Sequence, residues 1–264
     1  MLKNRLLQFL NRRGVVEVIS LGVAILIWEL VAVFVIKDKG ILPSPHAVFL
    51  AYFELLDLIP LDIRTSLLHF AIGLGAGAVV GIAVGMLMGW FKTANRALDA
   101  IIEVLRPIPP LAWIPFAIIW IGLTHTAAGF IVFIGAVFPI LINTYTGFRE
   151  VDKTYIDAAK VLGCEKESKL IRLVAIPFSL PYIATGVRVG MGVGWMCLVA
   201  AEYFGVSRYG LGHRLLCVFF PLQMMDRVVA YMILLGLIAL VLDRVFRYFV
   251  EERLLKWKKG MVTQ

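Results

Sequence analysis

Apolar residues run in six stretches, each long enough to cross about 30 Å of hydrocarbon, with short polar segments between them. The stretches lie near 15–36, 66–90, 101–122, 127–147, 178–202 and 227–249. In lipid, a backbone must satisfy its own N–H and C=O groups, so such runs are expected as helices. The pattern predicts an all-α membrane protein with six transmembrane helices. Two of these helices carry glycine at every fourth position: Gly73, Gly77, Gly81, Gly85 and Gly89 in the second, and Gly186, Gly190 and Gly194 in the fifth. A spacing of four keeps small residues on one helix face, where a neighbour can approach closely. That face serves either packing or sliding. Proline punctuates the third and fourth runs, in Arg106-Pro107-Ile108-Pro109-Pro110, at Pro115 and at Pro139. Proline removes a helix hydrogen bond and bends or breaks the helix.

Composition strengthens the membrane assignment. Apolar residues make up 61% of 264 residues, and mean hydropathy is +0.89. Soluble domains are about 45–50% apolar. The N-terminal apolar run to Ile36 is too long for a signal-peptide core and has no small-residue cleavage site, so an uncleaved first span is expected. The three cysteines, Cys164, Cys197 and Cys217, fall in a loop, a span and an opposite loop, which predicts no disulfide framework.

The net charge of +8 would suit nucleic acid, but the basic residues flank apolar runs, which points to membrane orientation instead. One set of segments holds 18 of the lysines and arginines considered, the other five. The rich set is the N-terminus, the 91–100 loop, the 149–172 loop and the C-terminal tail. By the positive-inside rule both termini and the 149–177 segment are cytoplasmic, in a multi-pass protein of the cell (inner) membrane.

Few residues invite chemistry. His69, His125 and His213 are scattered without ligand spacing, and His46 falls in an external loop. There is no phosphate-binding GxxxxGK[ST], so the chain is expected to bind no nucleotide itself. Arg188 lies within the fifth run and Arg106 opens the third. Intramembrane charges are functional candidates by default. Arg188 would either face a wet path and favour an oxyanion or pair structurally with backbone carbonyls or with an acid such as Glu202 or Glu29. Glu202, at the outer end of its run, reads equally as cap, salt-bridge partner or gate. Asn143, Thr144, Tyr145, Trp195, Met196 and Cys197 are candidates for a path-lining set.

The richest polar stretch is 157–177, DAAKVLGCEKESKLIRLVAIP. Ala158 and Ala159 allow close approach to a partner, and Gly163 allows a sharp turn with positive φ. Asp157 is expected near a helix start. Two short helices joined at the glycine would make a rigid projection. Downstream stand Ile176-Pro177 and Pro181, Gly186-Val187-Arg188, Ala200-Ala201-Glu202-Tyr203 and Tyr209-Gly210-Leu211-Gly212. Upstream stand Leu42-Pro43-Ser44-Pro45, Arg106-Pro107-Ile108-Pro109, Phe138-Pro139-Ile140 and Asn143-Thr144.

In this order the motifs resemble the nitrate/sulfonate/taurine/bicarbonate group of ABC importer permeases, from about residue 40 to 215. Two departures stand out: Asp157 replaces the family's usual glutamate, and the interval from Gly163 to Pro177 is one residue longer than usual. The resemblance implies a type I permease with a cytoplasmic coupling-helix loop, in one transmembrane domain covering 1–264. It implies a non-enzymatic homodimer served by two cytoplasmic ATPase subunits, which bind the ATP and magnesium, and by an extracytoplasmic substrate-binding protein. It gives Asp157, Ala158, Ala159 and Gly163 the ATPase-coupling role. The solute would be a small anion such as a sulfonate, nitrate or bicarbonate, or else a neutral vitamin precursor. A self-contained secondary transporter or channel is the alternative. It would need coupling carboxylates at mid-membrane, for which Glu29 alone offers little.

Overall fold

A computed structural model of the chain describes residues 13–204 and 209–254. The terminal basic residues Lys3, Arg5, Arg12, Lys256, Lys258 and Lys259, together with Arg208, lie outside these. The described residues are helical, without strands. Among the described residues, five helical segments are long and apolar enough to cross a membrane, and a sixth is counted if the bent pair Lys92–Leu105 and Pro110–Ile121 is one broken span. Contacts sort the described residues into two units, those within Met1–Pro60 and Arg214–Leu234 and those within Leu61–His213 and Leu235–Gln264.

In the first unit, α1 (Arg13–Leu30) continues through wider turns to Ile36 and stops at Lys37, whose φ is 56°. Its side chains are mostly exposed and apolar, as lipid contact requires. Trp28 Nε1 donates to the Pro43 carbonyl at 3.1 Å. α2 (Pro45–Glu54) begins where its chemistry predicts. Ser44 Oγ caps it by accepting from the Ala47 amide at 3.3 Å, and proline occupies the first turn, where no N–H is needed. Tyr52 donates to the Ala230 carbonyl at 2.7 Å, and Arg227 pairs with Glu54 at 2.8 Å.

The second unit is built around α6 (His125–Arg149), whose span is 61% buried, against 28% for α3 (Ile59–Trp90). The glycine stripes explain why. On one side, a Cβ on Gly81 of α3 would stand 2.9 Å from the Val137 carbonyl oxygen, and one on Gly85 would stand 2.6 Å from that of Leu141. On the other side, α9 (Ile176–Tyr203) presents Gly190, where a Cβ would stand 3.0 Å from the Ala136 carbonyl oxygen. Both stripes therefore grip the same central helix, so packing is the role they fill here. Ile131, Val132 and Ile140 of α6 are fully buried between them.

The third run differs from its expectation of one helix over 101–122. α4 (Lys92–Leu105) ends before the prolines, and a short helical turn at Pro110–Trp113 leads into α5 (Ile114–Ile121), with a 90° bend between the two parts. Pro107, Pro109 and Pro110 lack donors, and Pro109, which precedes Pro110, has ψ 134°, outside helical geometry, so the helix breaks there. Pro115 kinks nothing, because it occupies the first turn of α5. The fifth span begins earlier than expected. α8 (Glu167–Leu170) runs without interruption through wider turns into α9, one helical body over Glu167–Tyr203. A further long helix, α10, covers Met225–Arg247.

Candidate functional site

Between α6 and α9 the chain projects α7 (Lys153–Val161). Asp152 caps it: Oδ1 accepts from the Thr154 amide and from the Thr154 hydroxyl, both at 2.9 Å. Those two donors hold the Asp152 carboxyl below the usual carboxylate range. Asp157, expected near the helix start, instead lies in the middle of α7, exposed. The aspartate that meets the helix dipole is Asp152, five residues upstream.

The helix ends as its glycine predicts. Gly163 has φ 89°, its amide donates to the Lys160 carbonyl at 2.9 Å, and the Cys164 amide donates to the Ala159 carbonyl at 2.9 Å. These crossed bonds make a Schellman cap, which requires a left-handed residue at that position. Val161 and Leu162 beside it are 87% and 86% exposed. An apolar tip so bare, on a segment rich in charge, has the chemistry of a protein-docking surface. The projection is tied back to the bundle at two points. Trp90 Nε1 donates to Glu167 Oε2 at 2.7 Å, and the Tyr182 hydroxyl donates to Glu150. Sequence reasoning missed both ties, which join residues far apart in the chain.

The path-lining candidates divide. Arg188, Trp195 and Met196 border one cavity of about 190 Å³, together with Phe70, Met191, Gly192 and Asp243. Trp195 is buried edge-on against Phe70, with centroids 5.2 Å apart, whereas Met196 is 76% exposed. Asn143, Thr144 and Tyr145 are not part of that lining. Asn143 Nδ2 donates to the Pro139 carbonyl at 2.9 Å, one turn back along its own helix. Thr144 is buried against the face that Gly85 opens, and Tyr145 stacks toward Arg149, with the guanidinium carbon 6.0 Å from the ring centroid. Cys197 is buried and presses on Gly135.

Arg188 pairs with neither Glu202 nor Glu29. Its Nε donates to Asp243 Oδ1 at 2.7 Å, and Arg247 Nε approaches Asp243 Oδ2 at 3.0 Å. Two guanidiniums thus approach one carboxylate, and of the three groups Arg188 and Asp243 border the cavity. The sequence signal for Asp243 was available: it is a lone acid closing an apolar stretch, four residues before an arginine. Glu202 is fully buried and contacts His69 Nδ1 at 2.8 Å, and His69 Nε2 lies 2.7 Å from His125 Nδ1. Histidines 69 and 125, scattered in sequence, are adjacent in space.

Comparison with known proteins identifies the chain's relatives. Residues 77–253 match the family model for the binding-protein-dependent transport system inner membrane component. A protein of Methanocaldococcus jannaschii, provisionally named as an ABC transporter permease, is 43% identical over 96% of this chain and 96% of its own length. The nitrate import permease protein of Synechocystis is 32% identical, over 95% of this chain and 92% of its own length. A bicarbonate transport system permease protein of Synechococcus elongatus is 38% identical, over 68% of this chain and 64% of its own length. This chain belongs to the binding-protein-dependent inner membrane component family, the permease subunits of ABC importers.

Proposed function

We propose that the chain is the permease subunit of an importer for a small oxyanion, acting as one permease domain that pairs with a second copy. Nitrate, bicarbonate and aliphatic sulfonates are the solutes in view. Relatives named for nitrate import and bicarbonate transport match most of its length, and the Arg188 guanidinium on the cavity wall is a group that can recognise an oxyanion. A symmetric pair would place two such walls around one axis.

The observation that carries the transport reading is the capped projection at 153–170, with its bare apolar tip at Val161 and Leu162. A soluble motor moves a membrane domain only through such a rigid, exposed contact. Asp157, Ala158, Ala159 and Gly163 would form that contact with a cytoplasmic ATPase subunit, one for each permease copy. ATP and its magnesium would be bound there, while an extracytoplasmic binding protein would deliver the solute. This chain would supply no catalysis and no cofactor site. It would lie in the inner membrane among lipids, with the projection and both termini on the cytoplasmic side.

Co-expression with a tagged cognate ATPase tests the reading. Gly163→Asp adds a side chain at a φ that disfavours it and places a charge at the tip. ATPase recovery with the permease should fall while the permease remains in the membrane. Normal recovery and normal uptake by that variant would overturn the coupling assignment.

A further inference from the structure

Three consecutive backbone amides of the turn at 210–212 are docked on buried side chains. Gly210 N–H donates to Asp62 Oδ1 at 3.1 Å, Leu211 N–H to Ser66 Oγ at 2.8 Å, and Gly212 N–H to Glu202 Oε2 at 2.8 Å. Asp62, Ser66, His69 and Glu202 have no exposed surface. Neither glycine can be replaced easily. Gly210 has φ 133°, and a Cβ there would stand 2.6 Å from the Glu202 carboxylate. A Cβ on Gly212 would stand 2.6 Å from the Val199 carbonyl oxygen. The turn is therefore a lid laid directly on a buried carboxylate. Glu202 lies in the last turn of α9, so this cluster occupies the end of that helix opposite the projection at 153–170.

The carboxylate is well supplied with donors. Ser66 Oγ–H lies 2.8 and 3.0 Å from its two oxygens, and His69 Nδ1 lies 2.8 Å from Oε1. A carboxylate only accepts, so His69 Nδ1 carries a proton in that contact. His69 Nε2 then faces His125 Nδ1 at 2.7 Å, with ring centroids 4.9 Å apart. His125 is exposed. A chain of hydrogen bonds thus leads from a fully buried acid to solvent through two imidazoles.

We propose that Glu202, His69 and His125 form a proton-binding site, loaded at His125, whose occupancy sets how firmly the Gly210–Gly212 turn is held. The charges decide the direction. With both imidazoles neutral, the Glu202 carboxylate is a buried negative charge without a positive partner. One added proton, taken up on the exposed imidazole of His125 while its Nδ1–H donates to His69 Nε2, makes the imidazole pair cationic and compensates it. Losing that proton exposes the buried charge to its full desolvation cost. The turn covers the carboxylate, so opening the turn lets water hydrate it. A loaded site holds the turn closed, and an empty one loosens it. Other titratable or charged groups on these elements are Asp62 and Arg64 of α3, Tyr203 of α9, Tyr209 and His213 at the turn, and Arg214 next in the chain. Asp62 is buried beneath the turn and accepts from the Gly210 amide, a contact separate from the Glu202–His69–His125 chain.

The chain has four histidines, so protein labelled with ¹⁵N-histidine and reconstituted in bilayers gives a tractable spectrum. Titration from about pH 5 to about pH 9 covers the range in which imidazoles change charge. We expect the His69 and His125 ring nitrogens to lose one proton in a shared step, and His125→Asn to displace the His69 transition. Exchange of amides 209–213, corrected for intrinsic base catalysis, should be about tenfold faster above that step than below it. In Glu202→Gln the difference should vanish. If Glu202→Gln does not accumulate, wild type and His125→Asn decide the matter. Independent titration of His125 with no change at His69, or turn exchange that ignores the step, would overturn the proposal. Neither readout depends on which solute the permease carries.

Discussion

Single atoms set the tolerances of the bundle. Gly85 and Gly75 share a helix yet meet different surroundings. A Cβ on Gly85 would stand 2.6 Å from the Leu141 carbonyl oxygen and 2.8 Å from Thr144 Cβ, whereas one on Gly75 would meet nothing within 4 Å. Gly85→Ala should therefore lower stability by about 1–3 kcal/mol through overpacking, and Gly75→Ala should be neutral or stabilising by up to about 1 kcal/mol. Thermal unfolding of the purified variants distinguishes them, and equal effects would show that the stripe does not grip α6. Arg188 poses a different question. It pairs with Asp243, both about one-third exposed, so the pair alone is worth about 1 kcal/mol or less by the standard of exposed ion pairs. If Arg188 serves the solute, Arg188→Lys keeps charge but loses the fork, and Arg188→Met loses both. Uptake should fall for each while the yield of folded complex on size-exclusion chromatography holds. Yield and uptake falling together would make Arg188 structural, holding Asp243 beside Arg247.

Elements were legible in the sequence where one local rule decided them. The Schellman cap at Gly163 and the cap at Ser44 follow from residue type and spacing, and the glycine stripes announced close helix contacts. The 90° break after Leu105 was half legible, since the prolines were visible but an apolar count over 101–122 blurs two segments into one. What escaped was long-range pairing. Nothing local says that His69 meets His125, that Trp90 reaches Glu167, or that Arg188 chooses Asp243 over Glu202. Those choices depend on helix rotation and packing, which a single sequence does not encode legibly. Asp152 rather than Asp157 as cap shows a boundary error of a few residues moving a role to another side chain. It also yields a pH test. The Thr154 donors lower the Asp152 pKa on folding, so its contribution is present above the ordinary carboxylate range and is lost as pH falls through the lowered value. Amides at the start of α7 should accordingly lose protection in acid, measured by hydrogen exchange against the intrinsic rates. Asp152→Asn should flatten that dependence, and Asp152→Ala should weaken the helix start at neutral pH. Unchanged acid sensitivity in Asp152→Asn would remove the cap from the account.

At the scale of the molecule, the question is which face of the membrane receives the projection. Basic residues crowd the 91–100 and 149–172 segments, and the acid–imidazole cluster occupies the other end of α9. If the rich side is cytoplasmic, Cys164 beside the Gly163 turn faces inward and Cys217 faces outward. Cys164 and Cys217 are each partly buried, while Cys197 is buried. Burial also pushes the Cys217 thiol up, so at neutral pH a smaller share of it is the reactive thiolate, and its labelling should accelerate as pH rises. An impermeant thiol reagent applied to intact cells at about pH 8.5 should therefore modify Cys217 slowly and leave Cys164 untouched; that pH raises the thiolate fraction without dissolving the membrane. Permeabilised cells should label Cys164 as well. Single Cys→Ser variants identify which thiol reacts, and the rate at two pH values separates a slow thiol from a shielded one. Modification of Cys164 from outside would invert the topology. It would place the 153–170 projection on the wrong side of the membrane for an ATPase, and the coupling assignment would fall with it.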